Sequence, residues 1–174
     1  MGLDITAYSR LAFIERLEPV GDRWAQEIWE DKYWGTDQQT VYVAWFDEFP
    51  GRRAPLEIPP ERCVDVYSYV HRVAFRAGSY SGYNWWRNEL ALLSSGMSAK
   101  NVWSSGKDVP FYELINFSDA EGVIGSVACK ELLGDFEKFS SDAQRHKDPW
   151  FWEAYQLWHN AAQLGADDGM IDFL

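Results

Sequence analysis

Leu3-Asp4-Ile5-Thr6 alternates apolar and polar side chains, so LDITAYS is expected to be a strand. LAFIERL (11–17) follows as a second strand or a short helix, and Trp24, Ile28 and Trp29 outline a short helical face before the polar turn GTDQQ. TVYVAWF (40–46) is rich in β-branched and aromatic residues and predicts a further strand. Four of the seven prolines fall in FPGRRAPLEIPPER (49–62), which predicts a loop that no helix crosses. CVDVYSYVHRVAFR (63–76) alternates again, as a half-buried strand or hairpin does. One face carries Asp65, Tyr67, Tyr69, His71, Val73 and Phe75; the other carries Val64, Val66, Ser68, Val70 and Arg72.

Beyond this point the period changes. A Gly/Ser loop, AGSYSGY, leads into the helix NWWRNELALL, whose Trp86, Leu90 and Leu93 share a face. SSGMSAKNVWSSGKDVP is expected to be a polar, mobile connection. Ile124, Ala128, Leu132, Phe136, Phe139 and Ala143 step by three or four along one amphipathic helix. In the last helix Asp148 is the cap, Pro149 the first helical position, and Phe151, Tyr155, Trp158 and Ala162 the buried stripe. Gly165 is expected to end it, with GMIDFL returning as a short strand. No alternating βαβ rhythm is present, so the predicted class is α+β: an antiparallel sheet with helices packed on one face.

A chain of 174 residues fits a single domain over 1–174, and a domain of that size buries roughly 70% of its unfolded surface. The 10 Trp, 10 Phe and 9 Tyr imply a core built on rings, with some rings available to line a groove. Cys63 and Cys129 form no metal-ligand spacing and lack the density of a secreted disulfide scaffold. VYVAWF is among the longest apolar runs, far short of a membrane span, and MGLDITAYSR has neither a basic nor an apolar leader region. The expected setting is therefore cytoplasmic, without a membrane partner. Met1-Gly2 with Thr6 matches a lipidation signature, and Asn116-Phe117-Ser118 a glycosylation acceptor; the opening strand and the cytoplasmic setting argue against both.

A net charge of -11 argues against binding a nucleic-acid polymer, which needs Lys and Arg to neutralise phosphates. The charge is uneven, however. Residues 59–108 hold 6 basic and 4 acidic side chains, whereas 109–174 hold 4 basic and 12 acidic ones. A small anion would meet its best reception in the middle segment, unless Arg62, Arg72, Arg76 and Arg87 pair with the acidic flanks.

The candidate site falls in that segment. FRAGSYSGYNWWR (75–87) is predicted to run strand, Gly/Ser loop, helix, with Arg76 before the loop and Arg87 one turn into the helix. Converging backbone N–H groups and a helix N-terminus suit an anion. Ser79, Ser81 and Asn84 add polar groups, and Tyr80, Tyr83, Trp85 and Trp86 a stacking wall. The segment has neither a phosphate-loop GK[ST] nor a GxGxxG fingerprint, and GSYSG has Tyr80 where a nucleophile elbow needs serine. The competing reading is an ordinary turn, with Ser81 or Asn84 capping the helix.

Asp119 and Glu121 suggest a carboxylate pair, yet Ser118-Asp119-Ala120-Glu121 fits a capping box for the helix that follows. His71, His146 and His159 show no metal spacing, so no metal site and no cofactor are expected. His71, among tyrosines on the alternating strand, is a candidate switch or base.

MGLDITAY, FRAGSYSGYNWWRNEL and ELINFSDAEGVIG resemble a family of small proteins encoded by bacteriophages and prophages. The resemblance implies the cytoplasm of a bacterial host and carries over no established activity; in that setting small accessory proteins often act in counter-defence, by sequestering a nucleotide signal or blocking a host protein. It gives no residue a catalytic role. Three readings result. The leading one is a non-catalytic binder of a small anionic ligand, such as a nucleotide, at 75–87. The second is an acidic module inhibiting a host protein through its C-terminal third. The third is a hydrolase using Asp119, Glu121 or His71.

Overall fold

The computed structural model describes residues 2–44, 59–106, 109–116 and 122–174. Within them the chain runs β1 (Gly2–Ser9), β2 (Ala12–Leu17), α1 (Ala25–Tyr33), β3 (Thr40–Ala44), β4 (Val64–Ser68) and β5 (His71–Ser79). Then come α2 (Tyr80–Ser95), α3 (Ala99–Ser105), α4 (Tyr112–Asn116), β6 (Gly122–Gly125), α5 (Ser126–Gln144), α6 (Pro149–Ala166) and β7 (Met170–Phe173). The strands form two antiparallel sheets, a larger one in the order β5-β1-β7-β6 and a smaller one in the order β2-β4-β3.

Strand alternation sorts the layers. Ile5 lies opposite Phe75 and Phe173, and Ala7 opposite Val73 and Ile171, so these six share one face of the large sheet. That face packs against Trp86 and Leu90 of α2, Leu132 and Phe136 of α5, and Tyr155 and Trp158 of α6. The next residues point the other way: Thr6 opposite Ala74 and Asp172, Tyr8 opposite Arg72 and Met170. There Tyr8, Met170 and Val123 meet Val41, Val43 and Tyr67 of the small sheet. The small sheet in turn buries Val64, Val66, Leu17 and Ala44 against Ala25 and Tyr33 of α1. The α+β class and the helix-covered antiparallel sheet are as the pattern predicts; the second sheet is an addition to it.

CVDVYSYVHRVAFR departs from its expectation. It is neither one strand nor a hairpin, because β4 belongs to the small sheet and β5 to the large one. The crossing lies between two adjacent residues. Tyr69 N–H donates to the Gln39 carbonyl, ahead of β3, while Val70 N–H donates to the Ser9 carbonyl at the end of β1. Between β1 and β2 the chain passes in the same way between sheets, with Arg10 at a φ of 52° and its N–H bonded to the Asp167 carbonyl at 2.7 Å. Buried Asp65, in the middle strand of the small sheet, accepts two bonds from Arg16 at 2.6 and 2.8 Å.

The helical stripes match at most positions. Ala128, Leu132, Phe136 and Ala143 are buried on α5, and Phe151, Tyr155, Trp158 and Ala162 on α6. Ile124 belongs instead to β6. Asp148 caps α6 as expected, its Oδ1 accepting from Trp150 N–H at 3.0 Å. Gly165 does not end that helix, which runs to Ala166. The glycine is there for space: a Cβ at 165 would overlap the Cys129 Sγ. The stretch expected to be a mobile connection holds α3, capped by Ser98 and closed by Gly106 at a φ of 61°.

Candidate functional site

The 75–87 segment holds no loop. β5 runs to Ser79 and α2 begins at Tyr80, with the Ser79 Oγ accepting from Gly82 N–H at 3.1 Å as the cap; neither Ser81 nor Asn84 fills that role. The Trp150 ring lies beside both glycines, 3.5 Å from where a Cβ of Gly78 would stand and 3.6 Å from that of Gly82, an ordinary contact distance. Gly78 also takes a φ of 105°, which a side chain rarely tolerates.

The two arginines do not converge. Phe75 meets the Trp158 ring edge-on at 5.3 Å in the helical layer, so Arg76 lies on the opposite face of the sheet, exposed. Arg87 goes into the helical layer and is 3% exposed. Its guanidinium donates to the Ile115 carbonyl at 3.4 Å and to the Asn84 Oδ1, and lies 5.0 and 5.1 Å from the rings of Tyr83 and Trp103. Tyr83 and Trp86 are core residues, donating to the carbonyls of Leu114 and Phe151. Tyr80 is half-buried; Ser81 and Asn84 are exposed, the Ser81 Oγ lying 3.1 Å from that of Ser79. Of the eight predicted site residues, Arg76 alone is an exposed charged group on the second face of the large sheet. The buried three, Tyr83, Trp86 and Arg87, hold the helical layer together.

The carboxylates fare differently. Ser118, Asp119 and Glu121 lie outside the described residues, and α5 begins only at Ser126 with Gly125 at the cap position, so the S-x-x-E pattern does not adjoin it. His71 is exposed at the start of β5. His146 places its Nε2 3.1 Å from the Glu89 carboxylate, with its ring 4.2 Å from Phe151. His159 sits beside Phe136. Among the described residues no three His, Cys, Asp or Glu side chains gather in a way that could hold a metal ion. No helix among them is long and apolar enough to cross a membrane.

A cavity of about 620 Å³ opens elsewhere, where the small sheet and α1 meet the second face of the large sheet. Others of about 420 and 490 Å³ lie between α5 and α6 and on the face of β2 and β4 that carries Arg16, Asp65 and Tyr67. The 620 Å³ cavity is walled by rings. Tyr8 and Tyr69 lie 4.9 Å apart, Trp29 and Tyr42 4.8 Å apart, and Trp29 meets Trp34 edge-on at 6.5 Å. Trp34 is 76% exposed at its mouth. Comparison with known proteins assigns nothing: no family model, curated protein or solved structure matches the chain.

Two charged groups complete the wall. Arg72 projects beside Tyr8 from β5, and Asp172 comes from β7, across the ladder from Thr6. Arg72 is exposed and makes no hydrogen bond or ion pair among the described residues. Burial, reinforced by the Asp172 charge, pushes the Tyr8 hydroxyl up to about 12, so it keeps its proton at neutral pH. The cavity thus offers stacking surfaces, an exposed cation, a carboxylate and a protonated phenol. Its residues come from β1, α1, β3, the 69–72 crossing and β7, and no local motif could announce it. One partial signal existed in Arg72 and Arg76, two arginines on one face of an alternating strand.

Proposed function

We propose that this chain is a non-catalytic binder of a small anionic ligand with a flat ring, of the nucleotide class, held in the cavity between its two sheets. The observation that carries the reading is Arg72, without a hydrogen-bond or ion-pair partner among the described residues, at the edge of a cavity walled by Tyr8, Trp29, Tyr42 and Tyr69. The volume lies within the usual range for small-ligand sites, about 300–1,000 Å³. A base stacked on an aromatic side chain gains about 1–3 kcal/mol, and a charge-assisted hydrogen bond about 1.5–3 kcal/mol. Together these come to about 2.5–6 kcal/mol, which corresponds at best to a Kd of tens of micromolar. The acidic remainder of the protein disfavours long polyanions while leaving a small one free to enter. Sequestering a nucleotide signal in counter-defence is the role that the resemblance to phage proteins suggests for such a binder.

Isothermal titration with nucleoside monophosphates and cyclic nucleotides tests it. Arg72→Ala is expected to weaken binding about tenfold or more, equivalent to about 1.4 kcal/mol, with an unchanged melting temperature. Binding by the wild type that Arg72→Ala leaves intact, or no binding of any nucleotide, rejects the proposal.

A further inference from the structure

Arg72 has a companion on its own face. Arg76 lies four residues along β5, its Cα about 13 Å away at the usual strand rise. Between them on β5 stands the short, exposed Ala74, with the buried Thr6 across the ladder. Like Arg72, Arg76 is exposed and makes no hydrogen bond or ion pair among the described residues. Asp4 stands directly across from it without pairing. The reason is where the guanidinium rests. It is turned over the backbone of Gly2, where any Cβ would overlap its Nε and Nη2 atoms. The lack of a side chain at position 2 therefore seats this cation and leaves its outer edge open.

We infer that Arg76 is a second anion subsite in line with the cavity, and that the preferred ligand is a short linear oligonucleotide. A base and its phosphate would occupy the cavity and Arg72, and a later phosphate would reach Arg76. The inference rests on the proposed reading of the cavity and deepens it. Two phosphate contacts are within the means of an acidic protein that could not track a long strand.

The test compares adenosine monophosphate with a phosphorylated adenine trinucleotide on the wild type, Arg76→Ala, Gly2→Ala and, as control, Arg10→Ala. The wild type is expected to bind the trinucleotide about tenfold more tightly than the monophosphate, as one further charge-assisted contact allows. Arg76→Ala removes that advantage and lowers the slope of log affinity against log salt by about 0.7 for the trinucleotide. It leaves monophosphate binding untouched. Gly2→Ala keeps the charge but displaces the guanidinium, and loses the same advantage; the displaced group is the far end of a flexible side chain, so the fold is retained. Arg10, paired with Asp167 at 2.9 Å, is expected to have no effect when replaced. Equal trinucleotide binding by the wild type and Arg76→Ala, with monophosphate binding intact, overturns the second subsite and spares the cavity. Failure of the wild type to bind either ligand overturns both.

Discussion

On the helix side of the large sheet, Trp86 and Trp158 stack 5.6 Å apart and nearly parallel, with Tyr83 5.7 Å from Trp158, and none is more than 1% exposed. On the other side, Tyr8, Tyr69, Trp29 and Tyr42 also pair at close range, yet they border a space of about 620 Å³. Arginine shows the same division. Arg87 is enclosed by rings and bonded to a carbonyl and an amide, whereas Arg72 and Arg76 meet no partner among the described residues. Residue type alone therefore does not separate core from site. What separates them is whether the opposing layer reaches the sheet. α2, α5 and α6 fill their face with large side chains, while on the other face Thr6, Tyr8, Val123 and Met170 are buried and the β5 edge leaves Arg72, Ala74 and Arg76 exposed.

Substitutions can break this contrast from either side. Trp158→Ala removes the ring at the centre of the helical layer and is expected to cost about 3–5 kcal/mol in urea denaturation. A cost below 1 kcal/mol would mean that the layer is loosely packed. Arg87→Ala removes the donor to the Asn84 Oδ1 and one of two donors to the Ile115 carbonyl, which keeps the Trp103 indole N–H at 2.7 Å, and is expected to cost about 1–3 kcal/mol while nucleotide titration stays unchanged. Arg72→Ala should do the reverse, which makes the pair the sharpest form of the comparison. Lost affinity in Arg87→Ala at unchanged stability would return the site to the helical side. The smallest effect is expected from Ser79→Ala, about 1 kcal/mol from the lost cap on Gly82 N–H, read as a lower melting temperature without loss of binding.

The strand LDITAYS and the helix opening at Asp148-Pro149 were legible in the sequence because one local rule decides each: period-two alternation in the first, cap and proline in the second. The stripes of α5 and α6 were legible for the same reason. Gly78 and Gly82 misled because neither marks a loop: Gly78 takes a φ of 105° at the end of β5, and Gly82 lies in the first turn of α2. They suggested a flexible loop where the backbone passes without a break from strand to helix. α3 was obscured by its polarity, since only Ala99 and Val102 are buried, although Ser98 and Gly106 stood in place as start and stop signals. The crossing between Tyr69 and Val70 left no mark at all, because alternation continues through it while the hydrogen-bond partners change sheets. The cavity depends on that crossing. Of the predicted site, Arg76 falls on the face that the cavity opens onto, and Arg72 was noted for its charge alone.

Both cysteines are buried, and they lie in different parts of the molecule: Cys129 under Gly165 where α5 meets α6, and Cys63 just ahead of β4 in the small sheet. Desolvation pushes the Cys129 thiol far above its ordinary range, so the reactive thiolate is suppressed while the helices stay packed. Each sulfur becomes available to an alkylating reagent only when its surroundings open. The native chain thus carries two clocks, and the ratio of their labelling rates tells whether the helical layer and the small sheet come apart together or in turn.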